Sequence, residues 1–363
     1  MFVNLLLAAA LAVQPVSDQA PVVSTVASLP PPPAQVMAIP EDLRAAFRRE
    51  VVDATRFPEA RLEKLVAFVF GPDRLGVEYK AEATQSVAES FRSRKVNCLS
   101  STLMVVALAR EAGLKAEAQE IDQVLAWGST GELVIQSKHA NAIIQVSSKR
   151  RFVVDVDSSD VEATAALNPI SDEKLLALFY GNRAMELMAD GQAEAARPWL
   201  EEALRHAPGD PGLLNNAGVL SLRLGLPEDA ERRFLAAYEA DPAQPSVLSN
   251  LIALYQRRGD LARASLWQAR SNQVLRHDPY YQYKLGRERE RAGDAPAAVR
   301  FYRRAISLHR GEHLFHFALA RTYLGLGNVR KADRELTIAH ELSDGPLRQR
   351  YQDKLAALRQ MRR

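Results

Sequence analysis

Cys98 and His139 are the only cysteine and the only histidine between Ile39 and Ser171. That scarcity decides what chemistry this stretch can carry. A zinc site built on histidine or cysteine would have to lean on carboxylates, which argues against metallohydrolase chemistry. No serine sits in a strained elbow motif, which argues against a serine triad. A thiol nucleophile with an imidazole base remains. Asp155 offers a carboxylate to orient the imidazole and stabilise its charged form, and Asp157, on the same side of the same predicted strand, competes for that role.

The elements around these residues are readable from their spacing. Leu99, Leu103, Val106 and Ala107 keep a helical apolar period, with Asn97 as N-cap and Gly113 as stop. Cys98 then sits in the first turn, where the helix dipole and unpaired amides favour a thiolate and could hold an oxyanion. Lys115 to Ile121, Ala140 to Val146 and Arg151 to Val156 read as strands, with a hairpin turn around Ser147 to Lys149. His139 stands at the entrance of the second strand. Asn97 and Gln85 are further candidate oxyanion donors, with capping and surface roles as their plain alternatives. Asn141 shares the predicted face of His139 and is a candidate substrate contact. Trp127 to Gly131 reads as a loop tip that could line a cleft.

A helix opening with cysteine, a strand starting at His139-Ala140-Asn141 and a strand with Val153-Val154-Asp155 together resemble the transglutaminase-like superfamily. The passage Ala107 to Ala116 is similar to that family's helix-to-strand connection. The resemblance covers roughly Ala83 to Asp157. It implies an α+β domain with a papain-like core, with Cys98 as nucleophile, His139 as base and later acid, and Asp155 as orienter. The implied reaction is acyl transfer from an amide, to water or to an amine, with no cofactor and no metal. Val96 departs from the pattern, standing where the family usually has glycine.

The rest of the chain is governed by a period of 34. Gly191, Gly225, Gly259, Gly293 and Gly327 keep it, as do Ala196, Ala230, Ala264, Ala298 and Ala332. This period resembles a tetratricopeptide (TPR) array, an all-α solenoid of helix pairs that bury their apolar faces only by stacking. Five units are expected at 177–210, 211–244, 245–278, 279–312 and 313–344. Ala184, Gly218, Gly286 and Ala320 supply the small residue of helix contact, and Ile252 fits that place poorly. Residues 345–363 read as a capping helix with Leu347, Tyr351, Leu355 and Leu358 on one side. The first helices of such units line a groove, where two columns recur: Asn182, Asn216 and Asn250, then Arg223, Arg257 and Arg291. Asparagine can clamp an extended peptide and arginine favours carboxylates, although arginine in a last turn also complements the helix dipole. His309, His313 and His316 invite a metal reading, but surface histidines explain them better.

With 363 residues, 47% hydrophobic and 25% charged, the chain is ordinary globular material for about two domains beyond its ends. A net charge of +3, with no lysine–arginine run interleaved with aromatics, argues against nucleic-acid binding. One cysteine excludes internal disulfides. Met1 to Val13 resembles the apolar region of a secretory signal, placed in a segment 1–20, and is too short to span a bilayer. Residues 21–40, with Pro30 to Pro33 in a row, read as an extended linker before a domain at 41–170. Two functions follow as expectations. One is a periplasmic or cell-envelope thiol enzyme acting on a peptide or protein presented by the array. The other is a non-catalytic scaffold with the first domain as a binding module. A cytoplasmic adaptor is a third.

Overall fold

The computed structural model describes residues 29–130, 133–156, 158–162, 168–343 and 345–360, and of 121–139, 158–162 and 345–346 the backbone alone. The expected signal segment lies outside the described residues. The chain enters through α1 (Pro33–Val36), α2 (Glu41–Phe47), a π turn at Arg48–Val52, and α3 (Pro58–Phe70). The linker reading fails over this entry. Val36 is fully buried, and the Pro31 carbonyl accepts a hydrogen bond of 2.6 Å from the Tyr180 hydroxyl in the first array helix. A polyproline backbone keeps its carbonyls unpaired, so a buried phenol can use one.

Next come β1 (Glu78–Tyr79), α4 (Val87–Ser93), β2 (Lys95–Val96) and α5 (Cys98–Glu111). The pairing of β1 with β2 is parallel, and Ser86 with Glu89 forms a capping box at α4. α5 starts and stops where its residues dictate. Asn97 Oδ1 accepts from Ser100 N at 2.9 Å, and Gly113 takes a φ of 72° after the last turn. Arg61 Nη1 donates to the Ala112 carbonyl at 2.7 Å, a cation satisfying the negative end of the helix.

The sheet contains β3 (Lys115–Thr130), β4 (Leu133–Gln145), β5 (Arg151–Asp155), β6 (Ser158–Glu162) and β7 (Pro169–Ile170), in the order β6-β5-β4-β3-β7 and antiparallel throughout. Ala116, Ala118, Ala140, Ala142 and Ile144 are buried in the same core as Leu99, Leu103 and Val106 of α5. The four alanines among them let the helix lie close on the sheet. β3 and β4 run well past the expected strands, so Trp127 to Thr130 lie in β3 rather than in a loop. Register shifts between Ile121, Val124 and Ala126 break the alternation that marks a strand in sequence.

The remaining helices are α6 (Asp172–Ala189), α7 (Ala193–His206), α8 (Pro211–Arg223), α9 (Pro227–Ala240), α10 (Pro245–Arg257), α11 (Leu261–Leu275), α12 (Pro279–Arg291), α13 (Ala295–Leu308), α14 (His313–Gly325), α15 (Val329–Glu341) and α16 (Gly345–Gln360). α8, α10, α12 and α14 start at Pro211, Pro245, Pro279 and His313. The first unit begins at Asp172, before Ala177, because Ser171 caps α6 through Lys174 N at 3.2 Å. The five period-keeping glycines have φ between 72° and 79°, the left-handed value that ends each first helix.

Packing within each pair conserves volume. Residue eight of a unit faces the residue sixteen further on: Gly218 meets Phe234, Gly286 meets Tyr302, and a Cβ on either glycine would come within 2.5 Å of the ring. Where the small residue is alanine, at Ala184 and Ala320, the corresponding partner is Leu200 or Leu336. At the remaining place Ile252 is half-buried against the core, and its corresponding residue, Gln268, is exposed. The apolar core is continuous from Val36 to Trp267, and a second, separate cluster begins at Ala298 and runs to Leu358. α16 closes that cluster with Tyr351, Leu355 and Leu358.

Gly218→Ala is expected to destabilise the protein by about 1–3 kcal/mol through overpacking against Phe234. Adding Phe234→Leu, which recreates the alanine–leucine pair of units one and five, is expected to restore most of the loss. Urea midpoints of both variants check this.

Candidate functional site between the first domain and the array

Cys98 is half-buried at the first position of α5. One turn on, the Thr102 hydroxyl lies 2.7 Å from the Cys98 carbonyl and 3.1 Å from the Ala140 carbonyl. The backbone of β4 beside position 139 is therefore held against the first turn of α5. His139 pairs with Ile121 in the β3–β4 register, and its side chain lies outside the described residues, as does Asp157. Asp155 and Asn141 stand next to the paired Val154 and Ala142, and Asn141 Nδ2 donates to Asp155 Oδ2 at 3.3 Å. Strand alternation puts positions 139, 141 and 155 on one sheet face and Ala140 and Ala142, which pack on α5, on the other.

Of the two extra oxyanion candidates, Asn97 does not stand free for that role. Asn97 caps Ser100 with one end and gives its amide to Thr84 Oγ1 at 2.7 Å with the other. Gln85 Oε1 accepts from Ser93 Oγ at 2.6 Å. Val96 is fully buried in β2, with its carbonyl bonded by Lys80 N at 2.8 Å.

A narrow cleft joins the two parts of the chain. It is lined by Leu99 and Ala140 from the first domain and by Leu178, Asn182, Leu213 and Asn216 from the array, with Glu120 and Asp210 also on its wall. The expected groove column is thus divided. Asn182 and Asn216 face this cleft, whereas Asn250 is fully buried and donates to Asn215 Oδ1 at 2.8 Å. β4 lies against α8 and α10, which explains why these first helices are buried nearly all round while α12 is not. Arg223, Arg257 and Arg291 are exposed at the last turns of α8, α10 and α12, positions at which a cation complements the helix dipole.

The histidine cluster is structural. His316 is buried, with Nδ1 2.7 Å from Glu335 and Nε2 3.3 Å from the Arg310 carbonyl, so it is not a surface histidine. His313 Nδ1 lies 3.0 Å from the Tyr351 hydroxyl.

No family model matches the chain. Cellulose synthase operon protein C of Pseudomonas fluorescens (strain SBW25) is 28% identical over 150 residues, covering 39% of this chain and 12% of that protein. The chain therefore spans a small part of the curated relative's length. Among solved structures, pilF of Pseudomonas aeruginosa is 14% identical, with 52% of this chain and 90% of that chain covered at a TM-score of 0.30. MamA from Desulfovibrio magneticus RS-1 is 20% identical, with 47% and 96% covered at 0.27. YrrB, described as a TPR protein with an unusual peptide-binding site, is 18% identical, with 49% and 92% covered at 0.26. The helix pairs, their period and their left-handed glycines settle the second part. It is a tetratricopeptide array. The thiol reading of the first domain draws no support from these relatives, and no described helix is long and apolar enough to cross a membrane.

One surface pair ties the domain to the array. Arg110 Nη1 and Nη2 donate to Asp172 at 2.7 and 2.8 Å, linking the end of α5 to the start of α6. The guanidinium holds the Asp172 carboxyl below its ordinary value and is itself raised by it. A depressed carboxylate stabilises the fold above its unfolded value of about 4 and ceases to do so as pH falls through the lower folded value. Asp172→Asn is expected to cost about 0.2–1 kcal/mol at neutral pH, because the pair is half-exposed. The difference between variant and wild type should close on acidification, as read from urea midpoints across pH.

Proposed function

We propose that this chain is a non-catalytic scaffold of a cell-envelope assembly, in which the array docks a protein segment and the first domain is a binding module fixed to it. The observation that carries this reading is the uneven covering of the array. The first domain lies over the first helices of the leading units. At the other end, Phe317, Leu324, Leu336 and Leu358 line an open cleft of about 280 Å³ between α14, α15 and α16. The cleft wall is apolar except for Arg321, which bonds Glu290 at 2.6 Å, and Lys354, whose ammonium lies 5.7 Å above the Phe317 ring. A segment with apolar anchors and a nearby carboxylate suits such a surface. The match to cellulose synthase operon protein C supports an envelope setting.

A second reading keeps the thiol chemistry. Its support is the shared Thr102 hydroxyl, which holds the Cys98 turn against the β4 backbone; against it stands strand alternation, which puts positions 139 and 155 on the sheet face away from α5. Here Cys98 attacks an amide carbonyl, His139 moves the proton to the departing amine and Asp155 orients the imidazole. The acyl group then passes to water or to an amine.

The two readings separate in one experiment. A photo-crosslinking residue at position 357, which is exposed at the cleft, is expected to capture a discrete partner in cells. Leu324→Glu should abolish that adduct and Cys98→Ala should leave it intact. An adduct that survives Leu324→Glu, or one that requires Cys98, overturns the scaffold reading.

A further inference from the structure

The first turn of α5 is held by three consecutive residues from the segment between β1 and α4. Ser100 Oγ donates to the Ala83 carbonyl at 2.8 Å and accepts from Gln85 N at 2.7 Å. Between these two, Thr84 is 4% exposed, and its hydroxyl oxygen accepts the Asn97 amide. With its Nδ2 so committed, Asn97 presents Oδ1 to Ser100 N and caps the helix. The orientation of this amide is thus set by Thr84.

Thr84 is in turn set from outside the domain. Its N–H donates to Glu186 Oε1 of α6 at 3.0 Å. Glu186 also receives Arg183 Nη1 at 2.8 Å, and Arg183 lies over the Trp199 ring at 6.0 Å. The Glu186 side chain is 15% exposed, and burial pushes its carboxyl above the ordinary value, against the pull of Thr84 and Arg183. A carboxylate at that depth is tolerable only while its donors stay in place, so Thr84, Arg183 and Glu186 constrain one another.

α6 also supplies Leu178, Gly181 and Asn182 to the cleft, facing Leu99 and Ala140. One helix therefore walls the cleft and, through two hydrogen-bonded residues, fixes the turn that carries Cys98. We propose that Glu186 is a positioning residue for this turn: acting through Thr84 and Asn97, it couples the placement of the first array helix to the exposure of the Cys98 thiol. A ligand that shifts α6 from within the cleft opens the turn. The inference deepens the reading of the first domain as a module fixed to the array, and it assigns the fixing contact.

The chain holds a single cysteine, so labelling of the full-length protein by N-ethylmaleimide reports on this turn alone. Glu186→Ala is expected to raise the labelling rate about tenfold at neutral pH, the opening that follows loss of a charge-assisted hydrogen bond. Glu186→Gln keeps an acceptor for Thr84 and should stay within about twofold of wild type. Thr84→Val removes the hydroxyl link while leaving the N–H bond, and an intermediate acceleration is expected; it decides the matter if Glu186→Ala does not fold. Wild-type labelling rates in folded Glu186→Ala or in Thr84→Val overturn the proposal, as does a Glu186→Gln rate equal to that of Glu186→Ala. No partner enters this measurement, so it stands or falls independently of the cross-linking test.

Discussion

α6 has to satisfy two cores at once. It buries Leu175, Leu176, Ala177, Phe179, Tyr180, Ala184, Leu187 and Met188, which is more apolar surface than one helix stripe can hold. Part of that surface stacks on α7 and α8, as a first repeat helix must. The rest is covered by the domain before it, down to the Pro31 carbonyl that takes the Tyr180 hydroxyl. A terminal repeat ordinarily needs a polar cap to end its exposed face. Here the first domain is that cap, and the two parts share one apolar cluster rather than a linker.

This constraint explains how the site is arranged. Because the domain caps the array, its long hairpin lies along the leading first helices and closes the groove there. The asparagine column, open in an isolated array, becomes partly internal: Asn250 bonds Asn215, while Asn182 and Asn216 look onto α5 and the sheet. Polar groups at such a junction need partners from both sides, and Glu186 with Thr84 and Arg110 with Asp172 supply them. The apolar surface left uncovered lies at the far end, around Phe317 and Leu324.

The array was legible because its signal is redundant. Each unit repeats a glycine, an alanine and a helix start, so local exceptions such as Ile252 do not obscure the period. The α5 helix and the first turns of the sheet were legible for a related reason: Asn97, Gly113 and the alternation in Arg151 to Val156 act over a few residues. What escaped notice depends on contacts between residues distant in the chain. The run of Pro30 to Pro33 has no pattern of its own and is ordered by Tyr180, almost half the chain away. The bulges near Val124 erased the alternation that would have lengthened β3. Nothing in the spacing of Asn182, Asn216 and Asn250 says that a sheet lies over them. The role of Asn97 turned on Thr84, a neighbour that a motif reading does not weigh.

The gap in the apolar core between Trp267 and Ala298 has a consequence for how the molecule comes apart. Cooperativity in a solenoid passes through the interfaces between neighbouring units, and a thin interface lets one side melt without the other. The segment from α12 to α16 thus forms a thermal unit of its own, held to the rest by little shared apolar surface. Heat absorption would then divide into two steps, and a peptide seated against Leu324 would delay only the one belonging to the carboxy-terminal body.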